Sequence, residues 1–246
     1  MKKTILLSIA IGLNTPRCAM EAKAAAISKI EAASSKYMGA PYAADPLGEG
    51  PGAILDPDPI EREDAFDCMT FIETAMARAL GTDIRLIRYK DGKADFMSRN
   101  HFVSIDWLEN NAGLVEYADF GLLARVKKTT IDKSAWMKKT RGIDAAFPPE
   151  EASVPYIPSE DILKHRDKIS ADGQISADKP MLVFFVAKGE GADVSHAGFL
   201  IKHPDGRIML RHASQWSGRV ADTEFFEYVR RVKKYLGASF YRIKGL

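Results

Sequence analysis

Three observations predict an α+β fold. An amphipathic helix opens at Asp67-Cys68, and from Met181 onward short apolar or alternating runs are punctuated by tight turn signals, the pattern of consecutive antiparallel strands. Between them, residues 82–178 hold no sustained period and read as an insertion of loops around a single domain spanning 25–246. The expected architecture is therefore one helix packed on an antiparallel sheet, with inserted loops. With 246 residues, 46% of them hydrophobic and 28% charged, the chain can bury a sizeable core without disulfide or metal staples. A formal charge of +2 argues for neither a nucleic-acid nor a membrane-surface partner.

At the amino terminus Met1-Lys2-Lys3-Thr4 precedes the apolar run Ile5–Leu13, then Asn14, Pro16 and the small residues Ala22-Lys23-Ala24, the three-part layout of a secretory signal over 1–24. The reading is export, to the periplasm or outside the cell. The run is far shorter than the roughly 20 residues that cross a bilayer, so no membrane span is expected. Thr15-Pro16-Arg17 before Cys18 is too polar for a lipoprotein signal. Cleavage after Ala24 removes Lys2, Lys3, Arg17, Lys23 and Glu21, taking the charge to −1, and leaves Cys68 as the sole thiol. A monomer is expected.

Residues 22–38 read as a helix ended by Gly39-Ala40-Pro41-Tyr42, since a proline disfavours α conformation in the residue before it. From Tyr42 to Asp64 the repeated Gly, Pro and Asp-Pro steps make a surface loop able to border a cleft. Phe71, Ile72, Ala75, Met76, Ala79 and Leu80 recur at helical spacing behind Asp67, and Gly81 terminates that helix. Met181 to Ala187, Ala197 to Lys202 and Arg207 to Ala213 follow as strands, with a last helix over Phe225 to Val232 and a final segment from Tyr235 to Lys244.

The thiolate is the reactive form of cysteine, and the unpaired N–H groups at a helix start favour it, which singles out Cys68. Among five histidines, His196 opens one strand and His212 lies near the end of the next, across a Pro204-Asp205-Gly206 turn. A hairpin centred there puts His212 opposite about position 199, within reach of His196 once a bulge or twist is allowed. One imidazole then serves as base while the other orients it, without a metal. His-x-x-x-His, Cys-x-x-Cys and His-Glu-x-x-His are all absent, as are Gly-x-Ser-x-Gly and the glycine-rich nucleotide loops, so no metal and no cofactor is expected. Arg99 and His101, with Trp107 nearby, have the equipment of a pocket for a carboxylate-bearing ligand, and Trp216 is placed to flank the same cleft. His165 and His203 read as solvated.

The order of motifs, Gly39-Ala40-Pro41-Tyr42, Asp67-Cys68, Met181–Phe185, Ser195-His196-Ala197-Gly198-Phe199 and Arg211-His212-Ala213, resembles the NlpC-type, papain-like cell-wall hydrolases. The longer run Asp67–Thr74, with Ser98–Trp107 and His212-Ala213-Ser214, is similar to the subfamily of N-acetylmuramoyl-L-alanine amidase-like proteins, over about residues 35 to 245. That resemblance implies a papain-like fold and a peptidoglycan or muropeptide substrate cut between muramic acid and the first alanine. It assigns Cys68 as nucleophile, His196 as base and His212 as the orienting group. It also places Tyr42 beside the nucleophile, while Asp67, Arg99, His101, Ser195, Ser214 and Trp216 are the residues expected to meet the substrate. The implied resting state pairs a Cys68 thiolate with a protonated His196. Three alternatives stay open: a stem-peptide endopeptidase of the same fold, a non-catalytic peptidoglycan-binding protein, and an acyltransferase.

Overall fold

Residues 28–171, 175–176 and 179–245 are described by a computed structural model. The export signal read over 1–24, and Cys18 with it, lie outside these residues. In chain order the helices are α1 (Lys29–Ser35), α2 (Cys68–Leu80), α3 (Ile84–Arg88), α4 (Leu108–Asn110), α5 (Lys133–Arg141), α6 (Ser159–Lys164), α7 (Arg166–Ser170) and α8 (Phe225–Arg231). The strands are β1 (Val115–Tyr117), β2 (Arg125–Ile131), β3 (Glu150–Pro158), β4 (Met181–Ala187), β5 (Val194–Lys202), β6 (Ile208–Ser214), β7 (Arg219–Glu224) and β8 (Tyr235–Ile243). All eight form one antiparallel sheet in the order β2-β3-β8-β4-β5-β6-β7. β8 is shared on its far side, pairing β3 at Gly237 and Ala238 and β1 from Tyr241 to Ile243.

β4 is buried on both faces, which is why Met181–Ala187 is an unbroken apolar run and not an alternating one. On one face Leu182 and Phe184, with Ala197, Phe199 and Ile201 of β5, pack under α1 and α2. On the other, Met181, Val183 and Phe185, with Leu200, Leu210 and Phe240, pack against Ile162 of α6, Ile169 of α7 and Phe225 and Phe226 of α8. The α+β reading of a helix on an antiparallel sheet is the fold observed. α2, β4, the β5–β6 hairpin, α8 and β8 lie within a few residues of their expected limits.

Residues 82–178 are more than loops, because β1, β2 and β3 extend the same sheet. β2 escapes a hydropathy reading for a physical reason: its inward positions include Lys127 and Thr129. The buried Lys127 ammonium donates to the carbonyls of Ala187 (2.9 Å), Gly189 (2.6 Å) and Ala192 (2.5 Å), tying β2 to the turn that leads into β5. A second tie runs to α2, where the buried Glu73 carboxylate accepts from Arg88 of α3 (2.8 Å) and from the Trp107 indole (3.1 Å). These buried charges tie the insertion to α2 and to the turn before β5.

Candidate active site

Cys68 is the first residue of α2. Asp67 caps the helix, its Oδ1 accepting from the Thr70 N–H (2.7 Å) while Thr70 Oγ1 accepts from the Asp67 N–H (3.0 Å), a reciprocal capping box. The N–H groups of Ala197 on β5, Cys68 and Met69 each favour the thiolate, which sets the sulfur beside the strand that carries His196.

His196 Nε2 and His212 Nδ1 are 2.6 Å apart. The observed β5–β6 register pairs Phe199 with Arg211 and Leu200 with Leu210, one step from the register expected from the turn. Extending it puts His212 opposite Gly198 and makes His196 its diagonal neighbour on the same face. Ordinarily a side chain would stand between them. At Gly198 a Cβ would lie 2.7 Å from Leu210 Cδ1, 2.8 Å from the Arg211 carbonyl oxygen and 3.1 Å from His212 Cβ, so glycine is what lets the two rings meet.

Two bulges finish the placement. Phe185 pairs with His196 but Val186 with Val194, leaving Ser195 as the extra residue that bends β5 just ahead of the base. Likewise Val186 pairs with Gly237 but Ala187 with Tyr235, so Leu236 is extra and Tyr235 turns onto the face of Ala238 and Phe240. There its ring stacks on His196 at 6.5 Å and 12°, while Phe185 and Tyr228 complete an aromatic enclosure at 5.7 and 5.8 Å. Tyr228 and Tyr235 also share a hydroxyl contact of 3.1 Å.

His212 Nε2 lies 3.2 Å from Thr223 Oγ1, and the direction of that contact sets the tautomers: with the Thr223 hydroxyl as acceptor, His212 Nδ1 accepts from His196 Nε2–H. His196 Nδ1 is then the ring's lone-pair nitrogen, the atom a base needs. Burial, then the neighbouring His212 and the Lys234 charge, push the His196 pKa well below its usual 6.5. Burial likewise lowers His212 to about 4. Burial and then the Asp67 carboxylate push the Cys68 thiol up to about 12, against the opposing pull of the three N–H groups. The resting site therefore favours a neutral thiol beside a neutral imidazole. Burial and the acidic cap act on the thiol against the helix dipole.

These groups line a cavity of about 600 Å³. Of the residues picked from the sequence, it brings together Tyr42, Cys68, Ser195, His196, His212, Ser214 and Trp216. Tyr42 is held by its N–H to the Gly218 carbonyl (2.8 Å), and its phenol is raised by burial and then by the charges of Asp67 and Cys68, which places it beside the nucleophile. Asp67, Arg99 and His101 are not among the lining residues. Asp67 is spent on the cap. Arg99 is buried against Glu49, Asp56 and Asp45, and its guanidinium is committed to those three carboxylates. His101 is wedged between Phe96 and Trp136 with Nε2 on the Phe96 carbonyl (2.8 Å), and burial lowers its pKa to about 3. Among the described residues none from 82–178 lines the cavity, whose walls include the β6–β7 turn and α8. Sequence reasoning missed Thr223, Tyr228, Arg231, Lys234 and Tyr235. Only the density of aromatic and basic residues from Tyr228 to Tyr235 hinted at them.

The family model for N-acetylmuramoyl-L-alanine amidase-like proteins matches residues 32–237. The chain belongs to the N-acetylmuramoyl-L-alanine amidase-like family. Among solved structures, a Legionella pneumophila protein of family DUF1460 is 25% identical, with 87% of this chain and 88% of that one covered at a TM-score of 0.77. An N-acetylmuramoyl-L-alanine amidase from Bacteroides uniformis shares the fold at 21% identity, covering 88% and 98% of the two chains at a TM-score of 0.70. Comparison with curated proteins finds no match. Among the described residues no group of three or more His, Cys, Asp and Glu is arranged to hold a metal ion.

Proposed function

We propose that the protein is a cysteine amidase of the papain-like, NlpC type that hydrolyses the amide between N-acetylmuramic acid and L-alanine in peptidoglycan fragments. The observation that carries this reading is the 2.6 Å His196–His212 contact at the wall of a cavity into which Cys68 also opens. Cys68 attacks the lactyl carbonyl carbon as its proton passes to His196 Nδ1, forming the C–S bond. Collapse of the tetrahedral intermediate breaks the C–N bond, and His196 returns the proton to the leaving alanine amine. Water, deprotonated by the same imidazole, then hydrolyses the thioester to free muramate carboxylate and thiol. His212 keeps His196 in the required tautomer. The Cys68 N–H and the Tyr42 hydroxyl stand on the oxyanion side.

Starting from neutral partners suits this scheme, since the charge separation arises only as the carbonyl is attacked. Export of the chain, expected from residues 1–24, accords with a wall substrate. The test is the mass of the products from a defined muropeptide. Free saccharide plus intact peptide is the expected result, whereas a cut within the stem peptide or an unchanged substrate overturns it.

A further inference from the structure

Beside its buried histidines the cavity is lined by exposed residues of a different kind. Trp216, on the β6–β7 turn, is 81% exposed, and the Arg231 guanidinium at the end of α8 lies 4.7 Å from the centre of its ring. Three residues on, Lys234 holds Nζ 5.2 Å from the Tyr235 ring centre, close enough for its charge to act on His196. All four residues line the cavity, and no aspartate or glutamate does.

The neighbouring Arg230 is neutralised by Glu227, and Arg211 by Asp222. Among the described residues Arg231 and Lys234 have ring contacts but no carboxylate partner. Two exposed, uncompensated cations therefore face an opening whose catalytic histidines are neutral, and the local field favours an anionic ligand. Stacking on Trp216 also restrains the Arg231 fork, so less side-chain entropy is lost when it closes on a planar carboxylate.

We propose that Arg231, steadied by Trp216, and Lys234 form a carboxylate-reading subsite that selects substrates bearing an anionic group on the peptide side of the scissile amide. This rests on the amidase reading. In that bond the lactyl carboxyl is consumed by the amide, so any free carboxylate of the substrate belongs to the peptide.

Binding measured by calorimetry on Cys68→Ala protein, with a muramoyl peptide carrying free carboxylates and with its carboxamide derivative, tests the subsite without turnover. The free acid is expected to bind at least about tenfold tighter, as for a charge-assisted contact at a solvent-accessible mouth. Adding Arg231→Gln and Lys234→Gln removes that preference and leaves affinity for the carboxamide unchanged, which also shows that the fold is intact. Raising the salt narrows the preference in the parent protein. Equal affinity for the two ligands, or a preference that survives both substitutions, overturns the proposal. A cut inside the stem peptide contradicts the amidase reading alone, because the binding preference is measured without cleavage.

Discussion

Gly198→Ala inserts one methyl between the two histidine strands, and its consequences follow from distances. The new Cβ meets Leu210 Cδ1 at 2.7 Å and His212 Cβ at 3.1 Å, contacts that side-chain adjustment relieves, but also the Arg211 carbonyl oxygen at 2.8 Å, which belongs to the backbone. Relief of that contact moves β6 away from β5 and takes His212 with it. Overpacking of this kind costs about 1–3 kcal/mol. For a domain of this size that lowers the melting temperature by roughly 2–12 °C. Displacing the imidazole pair by about 1 Å costs about a hundredfold in kcat/KM. The control is Gly113→Ala, where a Cβ meets nothing within 4 Å. Both variants are followed by thermal unfolding and by hydrolysis of a defined muropeptide. A Gly198→Ala protein that melts and turns over like the Gly113→Ala control refutes the argument that this glycine makes the histidine contact possible.

Other perturbations test separate parts of the account. Asp67→Asn keeps an N-cap acceptor for the Thr70 N–H but removes the carboxylate that raises the Cys68 thiol, so stability shifts by less than about 0.5 kcal/mol. Alkylation of Cys68 near pH 8 becomes severalfold faster in that variant, and an unchanged or slower rate contradicts the assignment. His212→Leu lowers kcat about a hundredfold or more with little change in KM, and His212→Asn, whose side-chain oxygen lies near the position of Nδ1, recovers part of the loss. Equal activity of the Leu and Asn variants would show that no acceptor is needed there. His101, His196 and His212 are buried as neutral rings with pKa values lowered from 6.5, so the unfolded chain binds more protons than the folded one as pH falls below 6.5. Their stabilising contribution is complete above that pH and is lost on acidification, by about 2 kcal/mol per histidine between pH 7.5 and 5. Urea unfolding of His101→Phe at both pH values shows a loss smaller by about that amount, and an identical loss rules out His101 as a contributor.

The nucleophile helix was legible because its start and stop rest on local chemistry, an Asp cap and a terminating glycine. The strands of the catalytic half were legible because β4 is apolar on both faces and the β5–β6 hairpin is closed by Asp205-Gly206. β2 was not, since its inward Lys127 is satisfied by carbonyls more than fifty residues away, a partnership without local trace. Arg99 and His101 have the residue types of a binding pocket, and only the tertiary positions of Glu49, Asp56 and Trp136 turn them into structure. Tyr235 was hidden by the Leu236 bulge, which reverses the face that simple alternation assigns. At Cys68 the sequence reveals the helix dipole but not the burial that opposes it.

Turnover of a defined muropeptide by Cys68→Ala, alongside its thermal unfolding, tests the central claim most directly. The variant is expected to melt within a few degrees of the parent and to release no saccharide or peptide. Retention of cleavage at a comparable rate contradicts the assignment of Cys68 as the nucleophile.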